Sequence, residues 1–388
     1  MAARARPGRS QTNGPSGREP TFALIAGGGT GGHVIPALAI GQALVERGHP
    51  AASIGFVGSR RGMESRLVPL AGFEVTLLPG RGLARRLSAS NVGAVAGLLQ
   101  AFVQAVILVG RRRPRVIVSV GGYASVAGAL GAVVWRVPLV VAEQNAVPGL
   151  ANRLAARAAK VSAVAFPGTP LPRAVVTGNP VRPEMAAIDR SPDARARARH
   201  QLGLPPERFT VVVGGGSLGA RSLNQAVLGL IAAWHDRGDI AIRHIVGDRD
   251  WDEAVSHRPV TPPGGLVYQQ VRFEDHMEVV YAAVDLAVHR SGSSTVCELA
   301  IAGLPSLLVP LPGAPGDHQG YNARLLEGAG AAVLIDDAVL DAGLLGRSID
   351  GLRGDRERLR SMGEAARGLA RPGAAAAVAQ LAEEAARA

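Results

Sequence analysis

The sequence predicts an α/β protein built from two Rossmann-like domains, and three observations lead to this prediction. The first is length, because 388 residues are enough for two domains of ordinary size. The second is an alternation of short β-rich runs with longer Ala- and Leu-rich stretches, which is typical of a parallel sheet covered by helices. The third is an internal repeat: 21–32 and 209–220 each give a strand, three glycines, a hydroxyl residue and the start of a helix.

Eight strands are predicted in order along the chain. In the first half they are 22–27, 53–58, 116–121 and 139–144. The stretch 166–183 is broken by proline and glycine, and the pattern then restarts with strands at 209–216, 243–248, 286–292 and 306–311. The chain therefore divides into a disordered basic tail at 1–20, a first domain at 21–178 and a second domain at 179–371. An Ala-rich helix at 372–388 is long enough to cross back onto the first domain.

Composition narrows the class of protein. With 47% hydrophobic and 19% charged residues, wholesale disorder is excluded, and the single cysteine, Cys297, excludes an internal disulfide or a Cys-based zinc cluster. The net charge is +11, but residues 1–180 carry +15 and residues 181–388 carry −4. The first half should therefore meet an anionic partner. Aromatic residues make up only 4%, which favours anionic lipid over nucleic acid as that partner.

Membrane contact is predicted for the segment 81–115. It holds seven arginines and no acidic residue around the uncharged run 92–110. That run has 19 residues, just enough to span a bilayer, but glycines dilute it, and Gln100 and Gln104 share one helical face. We therefore expect a buried or surface-lying helix, with membrane contacts from Arg81, Arg85 and Arg86. The alternative is a solvated arginine face on an ordinary core helix. No secretory signal is predicted, since residues 1–20 have no apolar core.

Three glycine loops follow predicted strands and can hold phosphates, because free N–H groups and the positive end of a helix point to one place there. Two have the spacing G-x-G-x-x-G and begin at Gly27 and Gly214. The third comprises Gly121, Gly122 and Tyr123. A single nucleotide does not need three phosphate-binding loops, whereas two phosphate-bearing substrates do. The count therefore favours a transferase that binds a donor and an acceptor. The alternative is a nicotinamide or flavin oxidoreductase, although Ser59-Arg60-Arg61 stands where the acidic ribose-binding residue is expected.

The second half carries a sharper motif at 290–298, where a strand ends and a helix begins. Ser293, Ser294 and Thr295 are placed to wrap a diphosphate, and Glu298, one turn further on, can accept both hydroxyls of a ribose. The alternative is a capping run in which these side chains only stabilise the helix start. The loop Asp317-His318-Gln319 adds polar groups after another strand end.

Seven motifs in order resemble those of the MurG family of glycosyltransferases. They are GGGTGGHVIPALAI at 27–40, VGGYAS at 120–125, EQNAVPGLAN at 143–152, TGNPVR at 177–182, GGSLGARSLN at 215–224, RSGSSTVCELA at 290–300 and DHQGYNA at 317–323. The resemblance implies a GT-B fold, with two Rossmann-like domains facing a deep cleft. It implies transfer of N-acetylglucosamine (GlcNAc) from UDP-GlcNAc to the 4-hydroxyl of lipid I, with inversion, giving lipid II for peptidoglycan. It also implies a peripheral enzyme on the cytoplasmic face of the cell membrane, with cell-wall and division proteins as further partners and no cofactor.

The resemblance also implies site residues. It places Thr30, Gly31 and Gly32 in the reaction cleft, and it lines the donor site with Asn145, Arg182, Ser217, Glu298 and Gln319. Ser217, at a predicted helix start, can donate to a diphosphate oxygen, and Arg182 adds a positive charge near the domain junction. The alternatives are a solvated linker arginine for Arg182 and loop-bracing amides for Asn145 and Gln319.

His33 is the preferred general base. It follows Gly31 and Gly32 at a helix start, where the helix dipole should lower the pKa of the imidazole and favour the neutral form. Glu143 is the competing base. The alternative roles for His33 are a hydrogen bond at the helix N-terminus or simple positioning of the acceptor. No metal is needed, because helix ends and Arg182 can carry the leaving charge. The D-x-D sequence Asp248-Arg249-Asp250 is expected in a surface turn.

Overall fold

The computed structural model describes residues 20–29, 31–60, 62–79, 90–216 and 219–388, without the side chains of 90–96 and 98. Two all-parallel sheets are present, so the predicted pair of α/β domains is confirmed. The first sheet has the order β3-β2-β1-β4-β5-β6-β7, and the second has the order β10-β9-β8-β11-β12-β13. In each sheet the order reverses beside the first strand of the half, which opens a crevice at the carboxyl ends of the strands.

The strands of the first sheet are β1 (Ala23–Gly27), β2 (Ile54–Ser59), β3 (Glu74–Leu78), β4 (Val116–Gly121), β5 (Leu139–Glu143), β6 (Val161–Val164) and β7 (Ala174–Val176). The helices of this half are α1 (Gly31–Glu46), α2 (Glu64–Leu70), α3 (Ser90–Arg112), α4 (Tyr123–Trp135) and α5 (Leu150–Ala155). A 3-10 turn at Ala51–Ser53 leads into β2. The central strands β1, β2, β4 and β5 are buried along their whole length, as hydrophobic runs covered by helices on both faces should be.

The second half has strands β8 (Phe209–Gly214), β9 (Ile240–Ile245), β10 (Val267–Val271), β11 (Leu286–His289), β12 (Ser306–Leu308) and β13 (Ala332–Leu334). Its helices are α6 (Pro183–Ala186), α7 (Pro192–Gln201), α8 (Arg221–Ala233), α9 (Trp251–Ser256), α10 (Met277–Ala283), α11 (Ser293–Ala302), α12 (His318–Gly328), α13 (Ala342–Arg353), α14 (Arg356–Leu369) and α15 (Ala374–Arg387). Short 3-10 turns lie at Pro315–Asp317 and Asp337–Val339.

Seven of the eight predicted strands match observed strands to within a few residues. The prediction of a strand at 243–248 was wrong in its bounds, because β9 begins three residues earlier and the chain turns after Ile245. Five strands were not predicted: β3, β6, β7, β10 and β13. Of these, β7 lies inside the Pro- and Gly-rich stretch 166–183, where its three exposed residues form the edge of the first sheet.

Helix α3 lies on the surface of the first domain and packs against α4. Its residues Ala101, Ala105 and Val109 recur every four positions and are buried, so one stripe of the helix faces the protein. Within the described part of the chain, no helix is long and apolar enough to cross a membrane.

The C-terminal helix α15 packs against α1 and the adjoining strands of the first sheet. Val378, Ala379 and Ala382 are fully buried in the core of that domain. Glu383 accepts hydrogen bonds from Arg47 Nε (3.1 Å) and Nη2 (2.8 Å), and it contacts His49 Nε2 at 3.1 Å. The last helix of the chain therefore belongs physically to the first domain.

Candidate active site

The predicted site residues gather where the carboxyl ends of the two parallel sheets approach each other. A direct link joins the two halves there: the backbone N–H of Ala146, after β5, donates to Asn322 Oδ1 of α12 at 3.1 Å. Asn322 is fully buried, and its Nδ2 also donates to the backbone oxygen of Ser291, after β11, at 3.2 Å. The loops of both sheets therefore border one cleft.

Two glycine loops of the first half meet beneath the imidazole of His33. Gly28 N donates to Gly121 O at 3.3 Å, which ties the loop after β1 to the loop after β4. A Cβ added at Gly121 would stand 2.9 Å from both Cδ2 and Nε2 of His33, so the ring lies directly against that backbone. The structure therefore brings the predicted residues Gly31, Gly32 and His33 into one cluster with Gly121 and its neighbours. Thr30 lies outside the described residues.

Tyr123 begins α4 in this cluster, but its hydroxyl is engaged elsewhere. It donates to the backbone oxygens of Leu78 and Pro79 at 3.0 and 3.2 Å, at the end of β3. Its neighbour Gly122 has a φ of +84°, and a Cβ there would come within 2.4 Å of Gly28 O. In the predicted acceptor loop, the backbone of Gly121 and Gly122 thus faces the cleft cluster, while the Tyr123 side chain braces the sheet.

The pKa of His33 is lowered from its ordinary value, as the sequence predicted. The main cause is burial, which penalises the charged imidazolium, rather than the helix dipole on which the prediction rested. The carboxylate of Glu64 acts in the opposite direction and raises the pKa, whereas His318 of the second half lowers it further. The neutral, proton-accepting form of His33 is therefore favoured near neutral pH.

Glu143, which the sequence suggested as the competing base, accepts four hydrogen bonds. Its Oε1 accepts from Asn145 N (2.9 Å) and Nδ2 (3.3 Å), and its Oε2 accepts from Gly149 N (3.1 Å) and Asn152 Nδ2 (3.0 Å). Burial raises the pKa of this carboxyl, and the four hydrogen bonds oppose that rise. Both carboxyl oxygens thus hold the loop after β5, the same loop that reaches Asn322.

The predicted amides of the donor site brace loops on both sides of the cleft. Asn145 Oδ1 accepts from Asn322 Nδ2 at 3.4 Å. Gln319 Oε1 accepts from Leu311 N at 3.0 Å, and the Gln319 backbone oxygen accepts from Ser291 Oγ at 2.8 Å. Both amides therefore brace loops in this structure, which is the alternative role that the sequence left open.

The start of α11 carries the motif predicted to hold the diphosphate. Gly292 is the N-cap residue, and no side chain caps the helix, so the capping interpretation of Ser293 and Ser294 is wrong. Ser294 Oγ is buried and has no hydrogen-bond partner among the described residues. Buried hydroxyls are normally paired, so an unpaired one at a helix start is a candidate ligand contact. Thr295 follows in the same turn, and Ser217 lies outside the described residues.

Glu298 and Arg182 form the charged part of this second cluster. Burial raises the pKa of Glu298 to about 7, while Arg182 lowers it and Glu278 raises it. Arg182 Nη1 donates to the backbone oxygen of Asp275 at 2.9 Å, so Arg182 is fixed against the second half and is not a solvated linker residue. A buried carboxylate with a perturbed pKa beside a fixed arginine is the pattern expected of a functional site.

The sequence Asp248-Arg249-Asp250 lies in a turn, as expected, with Asp248 and Arg249 exposed. Asp250 is buried; it accepts from Asn224 Nδ2 at 3.0 Å and pairs with Arg221 Nε at 3.6 Å. Asp248 pairs with Arg272 Nε at 2.7 Å. The described part of the chain contains no group of three or more residues arranged to hold a metal ion.

Known proteins resemble this chain over most of its length. Residues 23–164 match the glycosyltransferase family 28 N-terminal domain, and residues 210–383 match the family's C-terminal domain. Two relatives are named UDP-N-acetylglucosamine--N-acetylmuramyl-(pentapeptide) pyrophosphoryl-undecaprenol N-acetylglucosamine transferase. The one from Desulforudis audaxviator is 38% identical over 90% of this chain and 94% of its own. The one from Nocardioides sp. is 41% identical over 89% and 93%.

Among solved structures, Acinetobacter baumannii MurG matches with a TM-score of 0.73 at 28% identity, over 94% of this chain and all of that one. Staphylococcus aureus MnaA, solved with UDP, matches with a TM-score of 0.63 at 14% identity over 92% of this chain and 93% of its own, which shows a likeness of fold alone. The predicted GT-B fold is therefore confirmed. The chain belongs to glycosyltransferase family 28 and, within it, to the MurG family.

Proposed function

We infer that the chain is an inverting glycosyltransferase of peptidoglycan synthesis. It transfers GlcNAc from UDP-GlcNAc to the 4-hydroxyl of the MurNAc unit of lipid I, and the product is lipid II. Relatives of that name, which match nine-tenths of the chain, support this function, and they give no support to the oxidoreductase alternative. The observation that carries the assignment of roles is the Ala146–Asn322 contact, which joins the loop after β5 to α12 at the cleft. In the proposed assignment, the His33 cluster and the Glu298 cluster face each other across that cleft.

The donor is proposed to bind to the second half. Glu298 accepts the ribose hydroxyls, because a buried carboxylate favours donors that stabilise its ionised form. The diphosphate lies at the start of α11, where Ser294 Oγ and the free N–H groups of the first turn can donate to it. Arg182 adds a fixed positive charge, and Gln319 reaches the sugar. Ser217 is expected to donate to the diphosphate from the other glycine loop.

The chemistry follows from this placement. The 4-hydroxyl oxygen of lipid I attacks the anomeric carbon of GlcNAc from the face opposite the diphosphate. The bond from that carbon to the diphosphate breaks, and its electron pair leaves on UDP. His33 accepts the proton of the attacking hydroxyl, and the helix end and Arg182 stabilise the negative charge of the departing UDP. Attack opposite the leaving group inverts the anomeric centre and gives the β(1→4) linkage.

A coupled assay tests the reaction itself. The purified chain should release UDP from UDP-GlcNAc only when a short-chain lipid I analogue is present, and the analogue should gain one GlcNAc by mass. NAD(P)H and flavins should neither bind nor turn over. Release of UDP without the acceptor, or no release with it, would contradict the proposed function.

Membrane attachment is proposed to use the exposed face of α3 and α4, on the cytoplasmic side where nucleotide sugars are supplied. Leu99, Val103 and Ile107 recur every four residues along α3 and are all exposed. The adjoining part of α4 exposes four more large apolar side chains: Leu130, Val133, Val134 and Trp135. An apolar stripe with arginines around it is the composition that binds an anionic bilayer surface. We call these seven residues the α3–α4 face.

Basic residues border the α3–α4 face at the end of α3. Arg113 stacks over the Trp135 ring with its guanidinium carbon 5.0 Å from the ring centre, and Trp135 Nε1 donates to Val106 O at 2.8 Å. The tryptophan is therefore held in place at the edge of the apolar stripe, beside a positive charge. Arg81, Arg85 and Arg86, the arginines predicted from the sequence, lie outside the described residues and stay a proposal.

A further inference from the structure

Glu64 is a buried carboxylate behind the first glycine loop, and sequence reasoning did not find it. It begins α2, and only 2% of the residue is exposed. Its Oε2 accepts from the backbone N–H of Gly29 at 2.9 Å, and its Oε1 accepts from the N–H of Ser59 at 2.5 Å. One side chain thus joins the ends of β1 and β2, next to the loop that leads into α1.

Three glycines make room for this side chain. A Cβ added at Gly28 would stand 2.4 Å from Glu64 Cδ, one at Gly58 would stand 2.3 Å from Cγ, and one at Gly62 would stand 2.0 Å from Oε2. Real Cβ atoms do not approach other atoms so closely, so any larger residue at these positions would displace the carboxylate. Besides allowing the backbone to approach a phosphate, these glycines therefore leave space for the Glu64 carboxylate behind the loop.

The carboxylate also acts on the proposed base. Glu64 raises the pKa of His33 and so opposes the lowering that burial causes. Within the described part of the chain, His318 of α12 also acts on His33 and lowers that pKa from across the cleft. Tyr123 of α4 lies near Glu64, whereas Arg47 and Glu383 lie at the far end of α1. Glu64 is therefore an anionic group of the first half that favours an imidazolium at position 33.

We propose that Glu64 is a positioning residue for the transfer reaction: it fixes the glycine loop that presents His33 and supplies the negative charge that stabilises the imidazolium formed when His33 takes the proton. This inference rests on the proposed function of His33. It resembles the general arrangement in which a buried carboxylate orients a catalytic histidine, except that here the carboxylate holds the histidine through the backbone of the preceding loop.

The test is an NMR titration of the His33 ring in the full chain, read together with the pH profile of kcat/KM. Glu64→Gln should lower the pKa of His33 by about one unit, the lower end of the usual effect of a nearby opposite charge. The acidic limb of kcat/KM should move to lower pH by the same amount. Glu64→Asp keeps the negative charge but has a shorter side chain, which cannot hold the glycine loop as well. The pKa of His33 should therefore stay close to that of the parent, while kcat falls.

The matched control is Glu46→Gln, which removes one exposed carboxylate from α1 itself, 13 residues and about 20 Å along the helix from His33. It should leave both the pKa and the rate unchanged. An unmoved His33 pKa in Glu64→Gln, or a kcat in Glu64→Asp equal to that of the parent, would overturn the inference. If Glu64→Gln does not fold, the kcat of Glu64→Asp still tests the inference.

Failure of this inference is distinguishable from failure of the proposed function. If His33→Ala keeps its rate, the base is misassigned, although the NMR titration still reports whether Glu64 acts on the ring. If His33→Ala loses its rate while Glu64→Gln leaves the titration and the acidic limb in place, the function stands and Glu64 is only part of the fold.

Discussion

The imidazole of His33 rests against the backbone of Gly121, at a distance where a single added methyl group would collide with the ring. The φ of Gly121 is +98°, so a side chain there would also be strained. Two loops that are about ninety residues apart in the sequence therefore set the position of one ring. This contact is the most specific geometric feature of the acceptor side of the cleft.

Gly121→Ala should reduce kcat by about a hundredfold, since displacing a catalytic group by about 1 Å can cost that much. The affinity for UDP-GlcNAc should change little, because the donor residues belong to the other sheet. Steady-state kinetics of the folded variant give both values. The control is Gly149→Ala, where nothing lies within 4 Å of the added Cβ. Equal rates in the two variants would show that the ring does not depend on this contact.

The affinity for UDP should rise with pH up to about 7 and then level off. The pKa of Glu298 is about 7 in the free chain, so below that pH the carboxyl holds a proton and accepts ribose hydroxyls poorly. Binding favours the ionised form and releases the proton, so affinity can change by up to about tenfold per pH unit in this range. Isothermal titration at several pH values measures it.

Two variants check that interpretation of the pH dependence. Glu298→Gln should bind UDP weakly and with no such dependence. Glu278→Gln removes a charge that raises the Glu298 pKa, so it should move the dependence to lower pH. A flat profile in the parent chain would mean that Glu298 does not meet the ribose as an anion.

Val103→Glu with Ile107→Glu should weaken binding to anionic vesicles by at least about tenfold, because two apolar contacts of the α3–α4 face become charged. Arg85→Glu with Arg86→Glu should weaken it chiefly at low salt, since salt screens surface charge. Vesicle sedimentation measures both, and turnover of a soluble acceptor should stay near that of the parent. Val260→Glu, an exposed apolar site in the second half, is the control. Binding insensitive to both double substitutions would place the membrane contact elsewhere.

Glu383→Gln should lower the free energy of unfolding by about 1–3 kcal/mol, because it breaks the charged hydrogen bonds that hold α15 on α1. The neighbouring exposed Glu384→Gln is the control and should change it little. Arg47 and His49 lower the pKa of Glu383, so this stabilisation is present above the ordinary carboxyl pKa and is lost as the pH falls through the lowered one. Urea unfolding at pH 7 and at acid pH measures the difference in free energy of unfolding between parent and variant, and this difference should become smaller at acid pH. A difference independent of pH would refute the ion pair.

Most of the fold was predictable because its central strands are unbroken hydrophobic runs that end in glycine loops. The strands β3, β6, β7, β10 and β13 were missed because they lie at or next to a sheet edge and are short or partly exposed, and such segments carry a weak pattern. The lower pKa of His33 was predicted in the right direction from a helix start, but burial, its main cause, depends on packing that no local pattern shows.

The roles of two carboxylates could not be predicted for a related reason. Glu143 and Glu64 both hold loops by accepting from backbone N–H groups, and every residue except proline has such a group whatever its side chain. The partner of Glu64 is Gly29, 35 positions earlier, so the pair exists only after β1 and β2 have aligned. The three glycines around Glu64 were the one available signal, but in a chain with 50 glycines they did not stand out.

The central claim is that His33 takes the proton of the acceptor hydroxyl, and the pH profile of His33→Ala tests it most directly. General bases typically contribute about 10²–10⁴-fold, so kcat should fall by that factor while UDP-GlcNAc affinity stays near that of the parent. The acidic limb of kcat/KM in the parent should follow an apparent pKa below about 6.5, because burial disfavours the imidazolium, and it should vanish in the variant. A kcat within about threefold of the parent, or an acidic limb that persists unmoved, would contradict the account.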